Sequence, residues 1–227
     1  MTETNVLKDL FEANDSRKRL TIFLTFLVVV VIYQSTVFWV ILQDDIQSKY
    51  NLEEFTIEFE ESSQFSEESR VINDGEKATL EFSAPAEMFN THSGFGMLFL
   101  NITYAETSGE ALDPCDTVSA DLTPTGATAE WDNENNVLSG VSSDCETISL
   151  QLHVFPSYNG TSQKVTGMDE QYWINYWQDN SHGQGTFNLD VEVIVNQPPT
   201  SGLPTISDDN EEITVTWEAV FFNVIVN

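Results

Sequence analysis

Basic residues are scarce in this chain of 227 residues, which holds 8 Lys and Arg against 37 Asp and Glu and has a net charge of −29. Binding to duplex nucleic acid requires clustered Lys and Arg, so we expect no nucleic-acid partner. From residue 50 onward only Arg70, Lys77 and Lys164 are basic, and that part carries a net charge of −28. An acidic surface of this kind is typical of salt-adapted proteins, in which cations screen the self-repulsion.

Catalytic signatures are also lacking. The chain has three histidines, and no two of them are spaced as metal ligands on one helix would be. It has no G-x-S-x-G, H-E-x-x-H, P-loop or dinucleotide-binding glycine motif. His153 falls on the polar side of a predicted strand, where we expect an exposed ring. We therefore expect a protein that is not an enzyme and has no cofactor, and an anchored hydrolase is the least favoured alternative.

One long apolar run is present, LTIFLTFLVVVVIYQSTVFWVIL from Leu20 to Leu42, and it contains no charged residue. At a rise of about 1.5 Å per residue it extends about 34 Å, which covers a hydrocarbon core of about 30 Å. Backbone groups in lipid must bond to each other, so the run predicts a single transmembrane helix. A cleaved signal peptide is one alternative, although its apolar region is usually shorter. A pilin-type leader would need Gly or Ala where Leu20 stands.

The charges on either side of this run predict its orientation. Three basic residues stand directly before it, namely Arg17, Lys18 and Arg19, whereas two aspartates follow it at positions 44 and 45. The positive-inside rule then places the N-terminus in the cytoplasm. Trp39 lies near the outer end, where an amphipathic ring favours the membrane interface.

We therefore expect a protein of the cell membrane whose chain has four parts. Residues 1–19 form a short cytoplasmic amphipathic segment, residues 20–42 the span, residues 43–51 a connector, and residues 52–227 an acidic extracytoplasmic domain. The span contains the polar residues Gln34, Ser35 and Thr36. They are either tolerated polarity near the outer leaflet or a hydrogen-bonded contact with another membrane helix. The expected partners are membrane lipid and other membrane or envelope proteins.

After the connector, apolar and polar residues alternate in several short runs, as in half-buried strands. The runs are Glu53–Glu60, Lys77–Phe82, Thr147–Phe155, Thr186–Val195 and Glu211–Val226, with Phe95–Tyr104 apolar on both faces. The pattern predicts an all-β ectodomain, an antiparallel β-sandwich of about eight to ten strands that is Ig-like or jelly-roll-like. Ser62–Ser69, rich in Ser and Glu, predicts a loop. A phase change near Ala219 predicts a bulge or a turn.

The sequence has two cysteines, Cys115 and Cys145, and both follow the predicted span. An even number in an oxidising compartment favours a disulfide, and the alternative is two buried thiols. Asn101 and Asn159 each begin an Asn-x-Thr sequence, so they are predicted glycosylation sites.

Two kinds of candidate ligand site remain. Oxygen-bearing side chains recur at Asp132, Glu134 and Asn136 and again at Asp208 and Asp209. Calcium prefers such ligands, although Asp and Asn also favour ordinary turns. Separately, in the aromatic sequence YWINYW, Trp173 and Trp177 share one face if the segment is a strand. This pair is either buried or exposed as a binding surface for a protein or a sugar. A calcium- or carbohydrate-binding module is thus the alternative to a protein-interaction module.

The orientation of the span can be tested by reversing its flanking charge. We expect R17E/K18E/R19E to place the C-terminal domain on the cytoplasmic side in most molecules, because the basic excess then no longer precedes the span. Protease digestion of sealed vesicles of known sidedness measures this. The charge-conserving variant R17K/R19K is the control and should keep the original orientation. An unchanged orientation in the glutamate variant would show that the charges do not set it.

Overall fold

The computed structural model describes residues 14–41, 53–105, 114–196 and 209–227, and it divides into two compact units. In the first unit, helix α1 spans Asn14–Thr36 and continues as a π-helical turn, Val37–Ile41. The stretch Arg17–Trp39 is long and apolar enough to cross a membrane. Leu42, the predicted end of the span, lies outside the described residues.

Polar side chains within α1 bond to the helix itself. The hydroxyls of Thr21, Thr25 and Thr36 each donate to the carbonyl oxygen four residues earlier, at 2.8 Å. Such bonds satisfy a hydroxyl without a partner from outside. Of the predicted polar break, Thr36 is therefore satisfied internally, while Gln34 and Ser35 are exposed on the helix surface.

The second unit, which begins at Glu54, is built almost entirely of antiparallel strands. Its strands are β1 Glu54–Asn73, β2 Lys77–Phe82, β3 Gly94–Tyr104, β4 Thr117–Thr123, β5 Ser139–Ser142, β6 Ile148–His153, β7 Gln163–Thr166, β8 Phe187–Ile194 and β9 Asn210–Val226. Two short helices accompany them, α2 Ala86–Thr91 and α3 Glu170–Trp177. The predicted all-β sandwich is confirmed.

The strands form a five-stranded sheet in the order β6-β3-β9-β1-β7 and a four-stranded sheet in the order β2-β8-β4-β5. The first strand therefore pairs with the last, the second with the eighth, the third with the sixth and the fourth with the fifth. Nested antiparallel strand pairs that are divided between two packed sheets in this way form the jelly-roll topology. Strand β7 is an addition at the edge of the five-stranded sheet, beside β1.

Strands β1 and β9 form the longest ladder, with an unbroken register from Ile57 opposite Val226 to Asn73 opposite Asn210. The predicted loop at Ser62–Ser69 is wrong, because all of these residues belong to β1 and pair with β9. Apart from Phe65 they are polar, because this part of β1 is almost entirely exposed and neither face needs apolar residues.

The bulge or turn predicted near Ala219 is absent from β9, which pairs regularly with β1 on both sides of that residue. Ala219 and Phe221 continue the inward-facing set, and Phe222 belongs to a second apolar cluster on the opposite face. Both faces of β9 are thus buried near its end. Apolar residues therefore occupy consecutive positions there, and the sequence pattern resembles a change in the alternation of apolar and polar residues. The only register shift along this strand lies in its other neighbour, β3, between Phe95 and Met97.

The main core lies between the two sheets. Its largest members stack in pairs, with Phe95 on Phe221 at 4.6 Å between ring centroids and Phe82 on Trp217 at 5.3 Å. The alternating residues of β8 complete it from the four-stranded sheet, namely Phe187, Leu189, Val191 and Val193, each 0% exposed. This burial drives the association of the two sheets.

The predicted disulfide is confirmed, because Cys115 and Cys145 are bonded, with their Cα atoms 5.5 Å apart. The bond ties the start of β4 to the segment between β5 and β6. It closes a loop with a sequence separation of 30 residues.

We expect C115S/C145S to lower the free energy of unfolding by roughly 3–4 kcal/mol, because a loop of this length no longer restricts the unfolded chain. Chemical denaturation of the variant and of the wild type measures the difference. Reducing agent should destabilise the wild type by a similar amount and leave the variant unchanged. A wild type that is indifferent to reduction would contradict the prediction.

Candidate interaction surface

The chain between β6 and β8 crosses the outer face of the five-stranded sheet and buries part of it. It carries β7 and α3, and it brings a second set of apolar side chains onto the sheet. We call this set the outer aromatic cluster, and its fully buried members are Ile57, Phe155, Tyr158, Trp177 and Phe222. The cluster fixes the position of α3 on the domain surface.

Aromatic rings make most of the contacts in the outer aromatic cluster. Trp177 stacks on Phe155 at 5.4 Å between centroids and meets Phe59 edge-on at 4.9 Å. Tyr158 stacks on Phe222 at 4.5 Å. Offset-stacked and edge-to-face pairs of this kind add to the free energy of apolar burial, so the cluster is a rigid base for α3.

The register shift in β3, between Phe95 and Met97, makes room for the outer aromatic cluster. Gly96 is the residue skipped in the register between β3 and β9, and a Cβ atom there would overlap the ring of Tyr158. The carbonyl oxygen of Gly96 also accepts the N–H groups of Val154 and Phe155, at 2.9 and 3.1 Å. A glycine at the bulge therefore lets the segment after β6 pack directly against the sheet.

The aromatic segment forms helix α3 and not the strand that was considered for it in the sequence. Asp169 caps it, because its Oδ1 accepts the N–H of Tyr172 at 2.7 Å, and Glu170 follows in the first turn. An acidic residue before an apolar-periodic segment is a helix-start signal in the sequence. The spacing of the two tryptophans does not distinguish the two conformations, because residues four apart share a face in a helix as well as in a strand.

The two faces of α3 have different environments. Trp177 is 2% exposed, and the indole N–H of Trp173 donates to the carbonyl oxygen of Gly167 at 3.0 Å. Of the two alternatives for Trp173 and Trp177, the structure fits burial, since Trp177 lies in the cluster and Trp173 is half-buried against it. Tyr172 and Tyr176 are the exposed pair, at 43% and 46%. We call these two side chains the tyrosine face.

A hydrogen bond joins the outer aromatic cluster to β1. The hydroxyl of Tyr158 donates to Oε1 of Glu61 at 2.6 Å, and Tyr158 is 1% exposed. Burial, followed by this hydrogen bond to a carboxylate, raises the pKa of the Tyr158 phenol well above its usual range. The phenol therefore stays protonated in the folded protein at pH values where an exposed tyrosine ionises.

The segment that contains Asp132, Glu134 and Asn136 is a hydrogen-bonded turn. The amide of Asn136 donates to the carbonyl oxygens of Glu130 and Trp131, at 2.8 and 3.2 Å. Its Oδ1 accepts the backbone N–H of His153 at 2.8 Å and lies 3.1 Å from Nδ1 of the same ring. The predicted exposed ring of His153 is wrong, because this turn covers it and leaves it 7% exposed.

The calcium prediction is not tested by these contacts and stays a prediction. Asp208 lies outside the described residues, and Oδ1 of Asp209 accepts the side-chain amide of Asn210 at 2.7 Å. Within the residues whose positions are described, no group of three His, Cys, Asp or Glu side chains is arranged to hold a metal ion.

The predicted glycosylation sites lie on the surface. Asn101 is exposed in β3, and its Oδ1 accepts the hydroxyl of Ser149 at 2.8 Å. Asn159 is exposed in the turn before β7, and its Oδ1 accepts the N–H and the hydroxyl of Thr161. Both asparagines are sterically accessible, and their modification stays a prediction.

Charged side chains line the outer face of the four-stranded sheet. Lys77 and Asp190 form an ion pair there at 3.0 Å, and the hydroxyl of Thr79 donates to Asp190 at 2.6 Å. The hydrogen bonds from Thr79 and Lys77 lower the pKa of the Asp190 carboxyl. Asp121 lies directly opposite Asp190 across the β4–β8 pair, so Lys77 offsets a repulsion between like charges.

No protein-family model and no curated protein matches this chain. Solved structures from viruses resemble its fold at low sequence identity. The nora virus structure is 8% identical over 72% of this chain, with a TM-score of 0.31, and the chain spans only 59% of that protein's length. Desmodium yellow mottle tymovirus gives 9% identity, 72% of this chain, 90% of that chain and a TM-score of 0.27.

The Tyr158–Glu61 hydrogen bond yields a pH-dependent prediction. We expect Y158F to lower the free energy of unfolding by about 1–2 kcal/mol near pH 8, because a buried hydrogen bond to a carboxylate is lost. The raised pKa in the folded state means that the wild-type advantage is complete below the ordinary tyrosine pKa of about 10. It declines as the pH rises from there toward the folded-state pKa.

Chemical denaturation at pH 8 and at pH 11 measures the difference between Y158F and the wild type. The matched control is Y172F, which removes an exposed phenol and should leave the stability unchanged at pH 8. An equal effect of Y158F at both pH values would contradict the pKa shift.

Proposed function

We propose that this protein is a single-pass membrane protein whose jelly-roll domain binds another envelope protein through the tyrosine face and performs no catalysis. The observation that carries the proposal is the tyrosine face itself, two exposed aromatic side chains on a helix that the outer aromatic cluster holds rigidly. The N-terminus is cytoplasmic and the domain extracytoplasmic in this proposal.

The apolar helix supports membrane attachment. Arg17–Trp39 contains enough apolar length for one crossing, and none of its side chains is buried. The basic residues at 17–19 favour a cytoplasmic N-terminus. Gln34 offers a side-chain amide within the span, and such a group favours contact with a second membrane helix.

The chemistry of the tyrosine face supports a protein partner. Tyrosine is enriched at protein interfaces because a large ring contributes contact area at a low entropic cost and its hydroxyl still bonds. The rings of Tyr172 and Tyr176 lie against Trp173 at 5.2 and 6.2 Å, so they are preoriented. Met168, 65% exposed, precedes the helix and adds apolar surface. Preorganised aromatic residues of this kind commonly act as binding hot spots.

The charged residues around the tyrosine face indicate which side chains a partner needs. Asp169 and Glu170 are exposed at the start of α3, and Asp179 is exposed beyond its end. A partner therefore needs an apolar centre for the two rings and basic residues at its rim. Trp177 offers no free ring to a sugar because it is buried.

Site-specific photocrosslinking in native membranes tests the proposal. With p-benzoylphenylalanine in place of Tyr176, we expect one membrane protein to be captured in near-stoichiometric yield from cells that make this protein naturally. The matched control places the crosslinker at Val141, which is 69% exposed on the opposite sheet, and should not capture the same protein. Size analysis in mild detergent should show the full chain in a larger complex.

The variant Y172S/Y176S should release the chain from that complex without changing its melting temperature, because exposed side chains contribute little to folding stability. Dissociation only when the domain unfolds would argue against the tyrosine face. A strictly monomeric wild-type chain in mild detergent would overturn the proposed function.

A further inference from the structure

Strand β1 has an unpaired edge along most of its length. It pairs with β9 from Ile57 to Asn73, but on its other side β7 pairs only with residues 54–57. No other described strand joins that side, and no proline or register shift interrupts it. Proteins usually protect a long edge strand with one of these devices or by covering it.

The register shows which backbone groups face this edge. Thr56 exchanges both backbone hydrogen bonds with Asn227, at 2.8 and 3.0 Å, so the even-numbered residues of β1 bond to β9. In an antiparallel ladder the alternate residues direct their N–H and C=O groups away from the partner strand. The outward residues beyond the Tyr158–Glu61 contact are Ser63, Phe65, Glu67, Ser69 and Val71. Among the described hydrogen bonds to these outward groups, the Phe65 carbonyl accepts only the neighbouring side-chain amide of Gln64, at 3.2 Å.

The side chains along this edge combine apolar and acidic character. Phe65 is 58% exposed and Val71 is 59% exposed, and they lie on the same face of β1. Glu67 lies between them, and Glu218 and Glu212 of β9 are directly opposite Phe65 and Val71. Glu68 adds a carboxylate on the other face. A strand added here would meet exposed apolar contacts beside a row of negative charges.

The chain already contains one strand that pairs with this edge, and that strand carries a basic residue. Strand β7 places Lys164 opposite Thr56, whose neighbours on the same face of β1 are Glu54 and Glu58. Lys164 is one of only three basic residues from residue 50 onward. Opposite charges on neighbouring strands stabilise a pair, and like charges destabilise it.

We propose that the edge Ser63–Val71 binds an extended basic segment of a partner protein, which adds a strand to the five-stranded sheet. The main-chain groups supply the affinity, and the acidic and apolar side chains select a strand that alternates Lys or Arg with apolar residues. A second copy of this chain is disfavoured, because antiparallel pairing of two such edges would bring Glu67 and Glu68 close to their own counterparts. This surface is separate from the tyrosine face, so either proposal can fail alone.

The test uses the full chain in detergent micelles and a short synthetic peptide in which lysine alternates with valine. We expect this peptide to bind and the matched glutamate–valine peptide not to bind. Binding should slow hydrogen exchange at the odd-numbered amides of residues 63–71, since the even-numbered amides are already bonded to β9. Slowing at neither set would mean that the peptide binds by charge alone and would overturn the proposal.

Two variants at one position isolate the backbone contribution. Both S69P and S69A remove the hydroxyl that bonds to Thr214 at 2.8 Å, but only S69P removes the outward N–H. We expect S69P to weaken peptide binding by at least about tenfold relative to S69A, with similar melting temperatures. Equal binding by the two variants would overturn the proposal.

A charge reversal tests the acidic edge independently of S69P. E67K/E68K changes two exposed side chains and should reverse the preference from the lysine peptide to the glutamate peptide. An unchanged preference would contradict the role of the acidic edge. Sedimentation of the wild type as a dimer that S69P dissociates would assign the edge to a second copy instead and overturn the proposed partner.

Discussion

Strands β1 and β9 pair without interruption from Ile57 and Val226 to Asn73 and Asn210, and this ladder determines how the rest of the domain is built. It joins the two ends of the domain's chain, so the strands between them close around it as successive pairs. One face of β9 supplies Val215, Trp217 and Phe221 to the core between the sheets. Near its end, the other face supplies Phe222 to the outer aromatic cluster. A single strand therefore anchors both apolar clusters.

The second cluster follows from this double burial. An antiparallel sandwich normally leaves the outer face of each sheet to solvent, with polar side chains there. Here Phe222 on β9 and Phe59 on β1 make part of that face apolar, and the chain after β6 must cover it. Gly96 allows the covering segment to approach, and Tyr158 secures it to β1 through Glu61. The position of α3, and hence of the tyrosine face, depends on this covering.

The sequence predicted the fold class, the disulfide and most strands, because each of these leaves a local signal of period or composition. It failed where two structures share one pattern. The spacing between Trp173 and Trp177 fits a strand and a helix equally, and only the cap at Asp169 distinguishes them. Ser62–Ser69 has the composition of a loop, and its strand conformation depends on β9, more than a hundred residues away. Likewise, Asn136 and His153 meet only in the folded chain, so the burial of His153 has no local signal.

The same long-range pairing explains why the acidic charge and the open edge occur together. A strand as long as β1, with an unpaired side and exposed Phe65 and Val71, is a template for uncontrolled association unless something opposes it. Carboxylates along the edge oppose pairing between like copies at low ionic strength, yet they attract a basic strand. Near molar salt concentration, screening limits both electrostatic effects to distances of a few ångströms. In such a medium the backbone groups still supply affinity, and selectivity depends on the apolar contacts of Phe65 and Val71, which salt does not screen.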